Sequence, residues 1–125
     1  MTAATRGVLV VTDDPSLGRE AELAFPSDFD VVTVPDARAA WQELQVWTPA
    51  ALVVDLLAGS AGGFALGSDM AQEARLRDVP MLMLLDRHQD EWLARQAGAD
   101  ATRTKPIDPF DLVATTLDLV GGNAK

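Results

Sequence analysis

The chain has 125 residues, 48% of them hydrophobic and 23% charged, with no cysteine and a formal net charge of -9. That length suits one domain with a single core. The missing cysteines exclude a disulfide framework, a thiolate metal site and a Cys nucleophile, and the acidic balance argues against unassisted binding to nucleic acid or to an anionic membrane.

No apolar run approaches the roughly 20 residues that a membrane span needs. The opening Met1 to Arg6 is polar, without the apolar segment of a signal peptide. A cytoplasmic, reducing setting is therefore expected. Taken in chain order, Val8-Leu9-Val10-Val11 reads as a buried strand. A helix follows, with Pro15 in its first turn and Leu17, Ala21, Ala24 and Phe25 on one face, and Pro26-Ser27-Asp28 stops it. Val31 to Val34 is the second strand. Asp36 caps a helix that buries Ala37, Ala40, Trp41 and Leu44. Pro49 breaks the chain before a third strand over residues 51–54. The four-residue spacing of Leu66, Met70 and Ala74 predicts a helix over 63–76. Pro80 opens a fourth strand, Met81 to Leu85. A helix over about 89–97 ends at Gly98, a left-handed cap. A weak fifth strand lies near 100–104. Asp108-Pro109, with Asp111 three residues after the cap, starts a last helix that buries Val113, Leu117 and Val120 and ends at Gly121-Gly122.

Strict alternation of five strands and five helices implies parallel βαβ units. Strands of nearly continuous Val, Leu and Met are buried on both faces, so helices must cover both. The expected architecture is a doubly wound three-layer sandwich in one domain over residues 1–125, with its core at about 8–120. With right-handed crossovers, the strand order 2-1-3-4-5 is expected.

Within that frame, charged residues at strand ends stand out. Asp55 closes the apolar run Ala51-Leu52-Val53-Val54, Asp13 follows the first strand, and Lys105 precedes Pro106 late in the chain. Ligands of open α/β sheets bind at the carboxyl ends of the strands. Two acids and one base there describe a small site for a cation and a phosphoryl group. Competing readings are that Asp55 caps a turn, that Lys105 neutralises an acidic cluster without turnover, and that Asp13 and Asp14 cap the first helix. His88, the one histidine, sits in a polar stretch and is a poor metal or triad candidate. Trp41 reads as core, Trp92 as an exposed partner contact, and the methionines as core. Gly62-Gly63 lacks the spacing of a nucleotide fingerprint.

From about Val8 to Val120 the chain resembles the response-regulator receiver domain of two-component signalling. The resemblance is carried by Val8-Leu9-Val10-Val11-Thr12-Asp13-Asp14-Pro15, by Pro49 through Asp55-Leu56, by Ala97-Gly98-Ala99-Asp100 and by Thr104-Lys105-Pro106-Ile107-Asp108. It implies a flavodoxin-like (βα)5 fold and a non-enzymatic signalling role. Asp55 would accept a phosphoryl group from a histidine kinase or phosphotransfer protein. Asp13, Asp55 and the Leu57 backbone carbonyl would bind Mg²⁺, Lys105 would pair with the acyl phosphate, and the Lys105-Pro106 bond would be cis. Output would pass through a downstream protein partner, with no direct contact to nucleic acid or membrane and with a homodimer left open.

Physical chemistry supports those assignments. Phosphoryl transfer asks a protein for positioning and charge neutralisation more than for covalent help. Mg²⁺ favours one or two carboxylates completed by carbonyl, water and phosphate oxygens. Lysine supplies a compact point charge, and Gly59, Gly62 and Gly63 permit close approach beside Asp55. The chain also departs from the receiver pattern. Thr12 stands where the first of two adjacent acids is usual, and Asp14 takes a third acidic position that points away from the metal. Leu85 and Asp86 replace a Ser or Thr followed by a small residue, with Asp86 read as a helix cap or a solvated acid. Thr102 takes the place of a switch aromatic, and Gly59 that of a proline. These departures sustain a second expectation, a pseudo-receiver that binds a partner without phosphorylation. Both switch residues are lost, so phosphate on Asp55 is expected to shift the face of the fourth helix, fifth strand and fifth helix only weakly, and partner binding to be largely constitutive.

Overall fold

A computed structural model describes residues 6–55 and 62–121. Its strands are β1 (Arg6–Val11), β2 (Phe29–Val34), β3 (Ala51–Asp55), β4 (Met81–Leu85) and β5 (Ala101–Thr104). Its α-helices are α1 (Pro15–Ala24), α2 (Ala37–Leu44), α3 (Gly62–Ala71), α4 (Glu91–Gln96) and α5 (Pro109–Val120), and a 3₁₀ turn at His88–Asp90 leads into α4. All pairings are parallel, as the alternation requires, and the strand order is the expected β2-β1-β3-β4-β5. The fold is the flavodoxin-like doubly wound sandwich.

Side chains of a strand alternate between its two faces, and the core divides accordingly. Leu9, Val11, Leu52, Val54, Met83 and Leu85 face α2, α3 and α4, where they meet Ala40, Leu44, Leu66, Met70 and Ala94. Val8, Val10, Val53, Leu82 and Leu84 face α1 and α5, where they meet Leu17, Ala21, Leu112, Val113 and Leu119. Every residue of β3 and β4 is buried. Full burial of a Val or Leu side chain contributes about 1.5–3 kcal/mol, so truncating Leu52 or Leu82 to Ala costs about 2–5 kcal/mol.

Local signals set the helix starts. Asp14, Asp36 and Asp108 each accept a bond at a helix N-terminus, from the backbone N–H groups of Ser16, Ala39 and Phe110 at 2.9, 2.9 and 2.7 Å. Pro15 and Pro109 occupy first-turn positions, where a missing N–H costs nothing. Gly98 ends α4 with φ +109°, a conformation that L side chains rarely adopt.

Four expectations need correction. The third helix ends at Ala71 rather than 76. A helix that kept Leu66, Met70 and Ala74 on its buried side would turn Leu76 away from the core. Instead the chain tightens into turns, Leu76 becomes fully buried and Ala74 is exposed. Arg75 anchors those turns with bonds to the Leu44 carbonyl and, at 2.7 Å, to the Thr48 hydroxyl. The buried face of α5 is centred on Leu112, Thr116 and Leu119 as well as Val113, whereas Leu117 and Val120 are only half-buried. Thr116 satisfies its hydroxyl on the Leu112 carbonyl at 2.7 Å, which lets a polar residue sit there. The helix after β4 is shorter than its pattern, because its first turn is 3₁₀. Trp41, on α2, is only half-buried at the edge of the core and lines a surface groove with Ala37 and with Leu66 of α3.

Candidate functional site

β3 carries Asp55 to the carboxyl edge of the sheet at its centre. Asp55 is 2% exposed, and a carboxylate so buried is tolerable only with charge or hydrogen-bond partners. It has both. The Lys105 ammonium lies 2.6 Å from Asp55 Oδ1, and the Thr12 hydroxyl donates to Asp55 Oδ2 at 2.9 Å.

Each partner is placed by backbone pairing. β1 lies beside β3 with Val11 opposite Val54, so Thr12 emerges level with Asp55. The Thr12 amide bonds the Val34 carbonyl at 2.9 Å, and its side-chain oxygen accepts the Asp14 amide at 3.1 Å. Thr12 thus ties the β1–α1 connection to the Asp55 carboxylate. On the other side the Lys105 amide bonds the Leu85 carbonyl at 2.7 Å, and the Lys105-Pro106 peptide is cis, as expected.

Lys105 has a second acid. Asp86 Oδ1 lies 3.3 Å from its Nζ. Asp86 is the first residue after β4, and the strand pairs with β5 so that Leu85 faces Thr104. Burial is the largest influence on the Lys105 ammonium and lowers its pKa. Asp55 and Asp86 outweigh it through hydrogen bonds and charge, so the net shift is upward. Lysine and two carboxylates form a cluster of formal charge -1.

Asp13 is exposed on the same edge, in the β1–α1 connection. It lines a groove of about 460 Å³ with Asp14, Arg19, Glu22 and Thr33. An open cleft of about 440 Å³ reaches Lys105 and Asp86 between the start of α1 and the β5–α5 connection, past Asp14, Ser16, Leu17 and Glu20. Leu57 and Gly59 lie outside the described residues. Among the described residues, no three His, Asp or Glu side chains gather to hold a metal. Asp13 and Asp55 remain as hard-oxygen donors, which is the carboxylate count that Mg²⁺ takes when other oxygens complete its shell.

Leu85 is buried in the core facing α4, and buried Thr102 sits opposite Met83. Arg103 holds the Thr102 carbonyl at 2.8 Å. His88 is exposed in the 3₁₀ turn, and Trp92 is 68% exposed on α4. Sequence reasoning missed two contacts. Thr12 was expected only to subtract a charge, whereas it donates to the acid. Asp86 is expected to cap or to be solvated; its side chain is indeed 51% exposed, but it also pairs with Lys105. The signal for the second was its place directly after a strand, next to the strand that delivers the lysine.

No family model matches the chain. The response regulator Rre1 of Synechocystis is 31% identical over 118 residues, covering 90% of this chain and 51% of that protein. The chain spans about half the length of the curated response regulators that it matches. Among solved structures, the receiver domain of a signal transduction histidine kinase from Syntrophus aciditrophicus superposes with a TM-score of 0.83 at 23% identity, covering 94% of this chain and 92% of that one. The receiver domain of a sensor histidine kinase from Pseudomonas aeruginosa superposes with a TM-score of 0.82 at 21% identity, covering 94% and 99%, and holds a magnesium ion in its active-site cleft. Sequence kinship over nearly the whole chain, the β2-β1-β3-β4-β5 sheet and the acid at the end of its central strand agree: the chain belongs to the response-regulator receiver domains of two-component systems.

Proposed function

We propose that this receiver takes a phosphoryl group on Asp55 from the phosphohistidine of a histidine kinase or phosphotransfer protein, and signals to a protein partner. The observation that carries the reading is the Asp55 carboxylate, buried at the carboxyl edge with Lys105 at 2.6 Å. In the transfer, an Asp55 oxygen attacks phosphorus and the P–N bond breaks. Its electron pair returns to the imidazole, and the carboxylate becomes an acyl phosphate. Repulsion between two anions opposes the approach. Lys105 offsets it as a compact point charge on a flexible stem that can follow the phosphoryl oxygens. Thr12, uncharged, spares the incoming group a further carboxylate and holds Asp55 by a charge-assisted bond. Mg²⁺, held by Asp13, Asp55 and the Leu57 carbonyl, would supply the remaining positive charge.

This reading places the chain in the cytoplasm as one folding unit over residues 1–125, without direct nucleic-acid or membrane contact. No helix among the described residues is long and apolar enough to cross a membrane. A pseudo-receiver, binding its partner without phosphate, is the second reading. What favours it is Leu85, which offers a phosphoryl group no hydrogen bond, and Thr102, which has no ring to turn inward. Incubation with a small phosphodonor and Mg²⁺, followed by intact-mass measurement, separates the two. Wild type is expected to gain one phosphoryl mass and Asp55→Asn none. An unlabelled wild type would leave the pseudo-receiver standing.

A further inference from the structure

One cation serves two unlike acids. Asp55 is almost wholly buried and fixed at the end of a central strand, whereas the Asp86 side chain is 51% exposed on the connection that leaves β4. Both bind the same ammonium, at 2.6 and 3.3 Å. Phosphorylation of Asp55 would exchange a single negative charge for a phosphoryl group carrying up to about two. The lysine, a compact charge on a flexible stem, moves to the stronger anion. Asp86 then loses its counter-ion and faces a new like charge. A half-exposed ion pair is worth little, so its release costs little. The cleft beside Lys105 and Asp86 is open, which leaves the carboxylate a path into water.

We propose that Asp86 is a charge latch: Lys105 holds it while Asp55 is a free carboxylate, and phosphorylation of Asp55 expels it, moving the segment from Asp86 into α4. The inference rests on the acceptor reading above. It supplies by repulsion a response that Leu85 cannot supply by attraction, and it departs from the expectation that phosphate on Asp55 shifts the α4 face only weakly. The segment is built to yield. Its 3₁₀ turn is braced by the exposed Arg87–Asp90 pair at 3.2 Å, and it leads directly to Trp92 and Leu93, both exposed. A displaced turn would re-aim those two side chains.

The test uses the full chain with beryllofluoride and Mg²⁺, followed by amide spectra. In wild type, signals of residues 86–91 are expected to move on binding. In Asp86→Asn they should start near the bound positions and move less than half as far, and Asp86→Glu should restore the response. Without its competitor for Lys105, Asp86→Asn should bind beryllofluoride about threefold tighter, the worth of an exposed pair. High salt, which screens exposed charges, should shift free wild type toward the Asp86→Asn spectrum. Equal responses and equal affinities in wild type and Asp86→Asn would overturn the latch and leave the acceptor role intact. A wild type that takes neither beryllofluoride nor phosphoryl mass would overturn both.

Discussion

Replacing Thr12 with Asp asks what the missing acid does. The Thr12 oxygen lies 2.9 Å from Asp55 Oδ2, in a site where both residues are buried. A carboxylate there faces Asp55 at about 4 Å between charge centres, and at an effective dielectric of about 20 the repulsion is about 4 kcal/mol. Rotation toward solvent and the Lys105 charge reduce it, whereas the lost hydroxyl donor adds to it. The expected loss without metal is about 2–4 kcal/mol. The same charge attracts Mg²⁺. If affinity rises about tenfold, saturating metal returns about 1.4 kcal/mol relative to wild type. Urea unfolding followed by tryptophan fluorescence, with chelator and then across a Mg²⁺ series, measures both quantities. Thr12→Val, which removes the hydroxyl and adds no charge, separates hydrogen bond from repulsion. A Thr12→Asp protein as stable as wild type in chelator, with unchanged Mg²⁺ dependence, would refute the electrostatic account of this position.

Two further outcomes follow, one from the site and one from the packing of α3 on the end of α4. The folded-state pKa of Lys105 is raised, so its contribution to stability is complete below the unfolded value of about 10.4 and is lost as pH rises through the folded one. The chain has no tyrosine or cysteine, and its only other lysine is the terminal Lys125. Stability should therefore be flat toward about pH 10 and fall above it in wild type, with that alkaline fall weakened in Lys105→Met; identical alkaline limbs in urea titrations would contradict this. Elsewhere, a Cβ on Gly67 would collide with the Ala97 carbonyl where α3 meets the end of α4. Gly67→Ala should lower stability by about 1–3 kcal/mol, measurable as a lower urea midpoint, and an unchanged midpoint would show that the two helices separate freely.

How much of this the sequence disclosed depends on the range of the interaction. Central strands were legible because continuous apolar runs such as Ala51 to Val54 have few other uses, and Gly98 announced its left-handed turn. β5 was faint because Arg103 and Thr104 are exposed on an edge strand. α3 was overdrawn because Ala74 continues the four-residue spacing, while the forces that end the helix come from Leu44 and Thr48, far away in sequence. Asp55 and Lys105 stood out as charges at strand ends. The Thr12 donor bond and the Asp86 pair did not, since both depend on which neighbour a side chain meets across the sheet edge.

Considered together, the two departures at the site have a common arithmetic. A receiver with the full acid pair would carry acids at positions 12, 13 and 55 against one lysine, a formal charge of about -2. This chain has Asp13, Asp55 and Asp86 against Lys105, which is the same total. One negative charge has moved from the metal side of Asp55 to the lysine side. On the proposed function, the shift would weaken attraction for Mg²⁺, and it sets a second acid beside Lys105. If the positions form one electrostatic unit through Asp55 and Lys105, their substitutions should not add. In a double-mutant cycle without metal, Asp86→Asn should recover part of the stability that Thr12→Asp loses, because Lys105 then serves the buried acids alone. Coupling above about 0.5 kcal/mol is expected. Additivity within that limit would mean that Thr12 and Asp86 diverged for unrelated reasons and that the latch acts without reference to the metal side of the site.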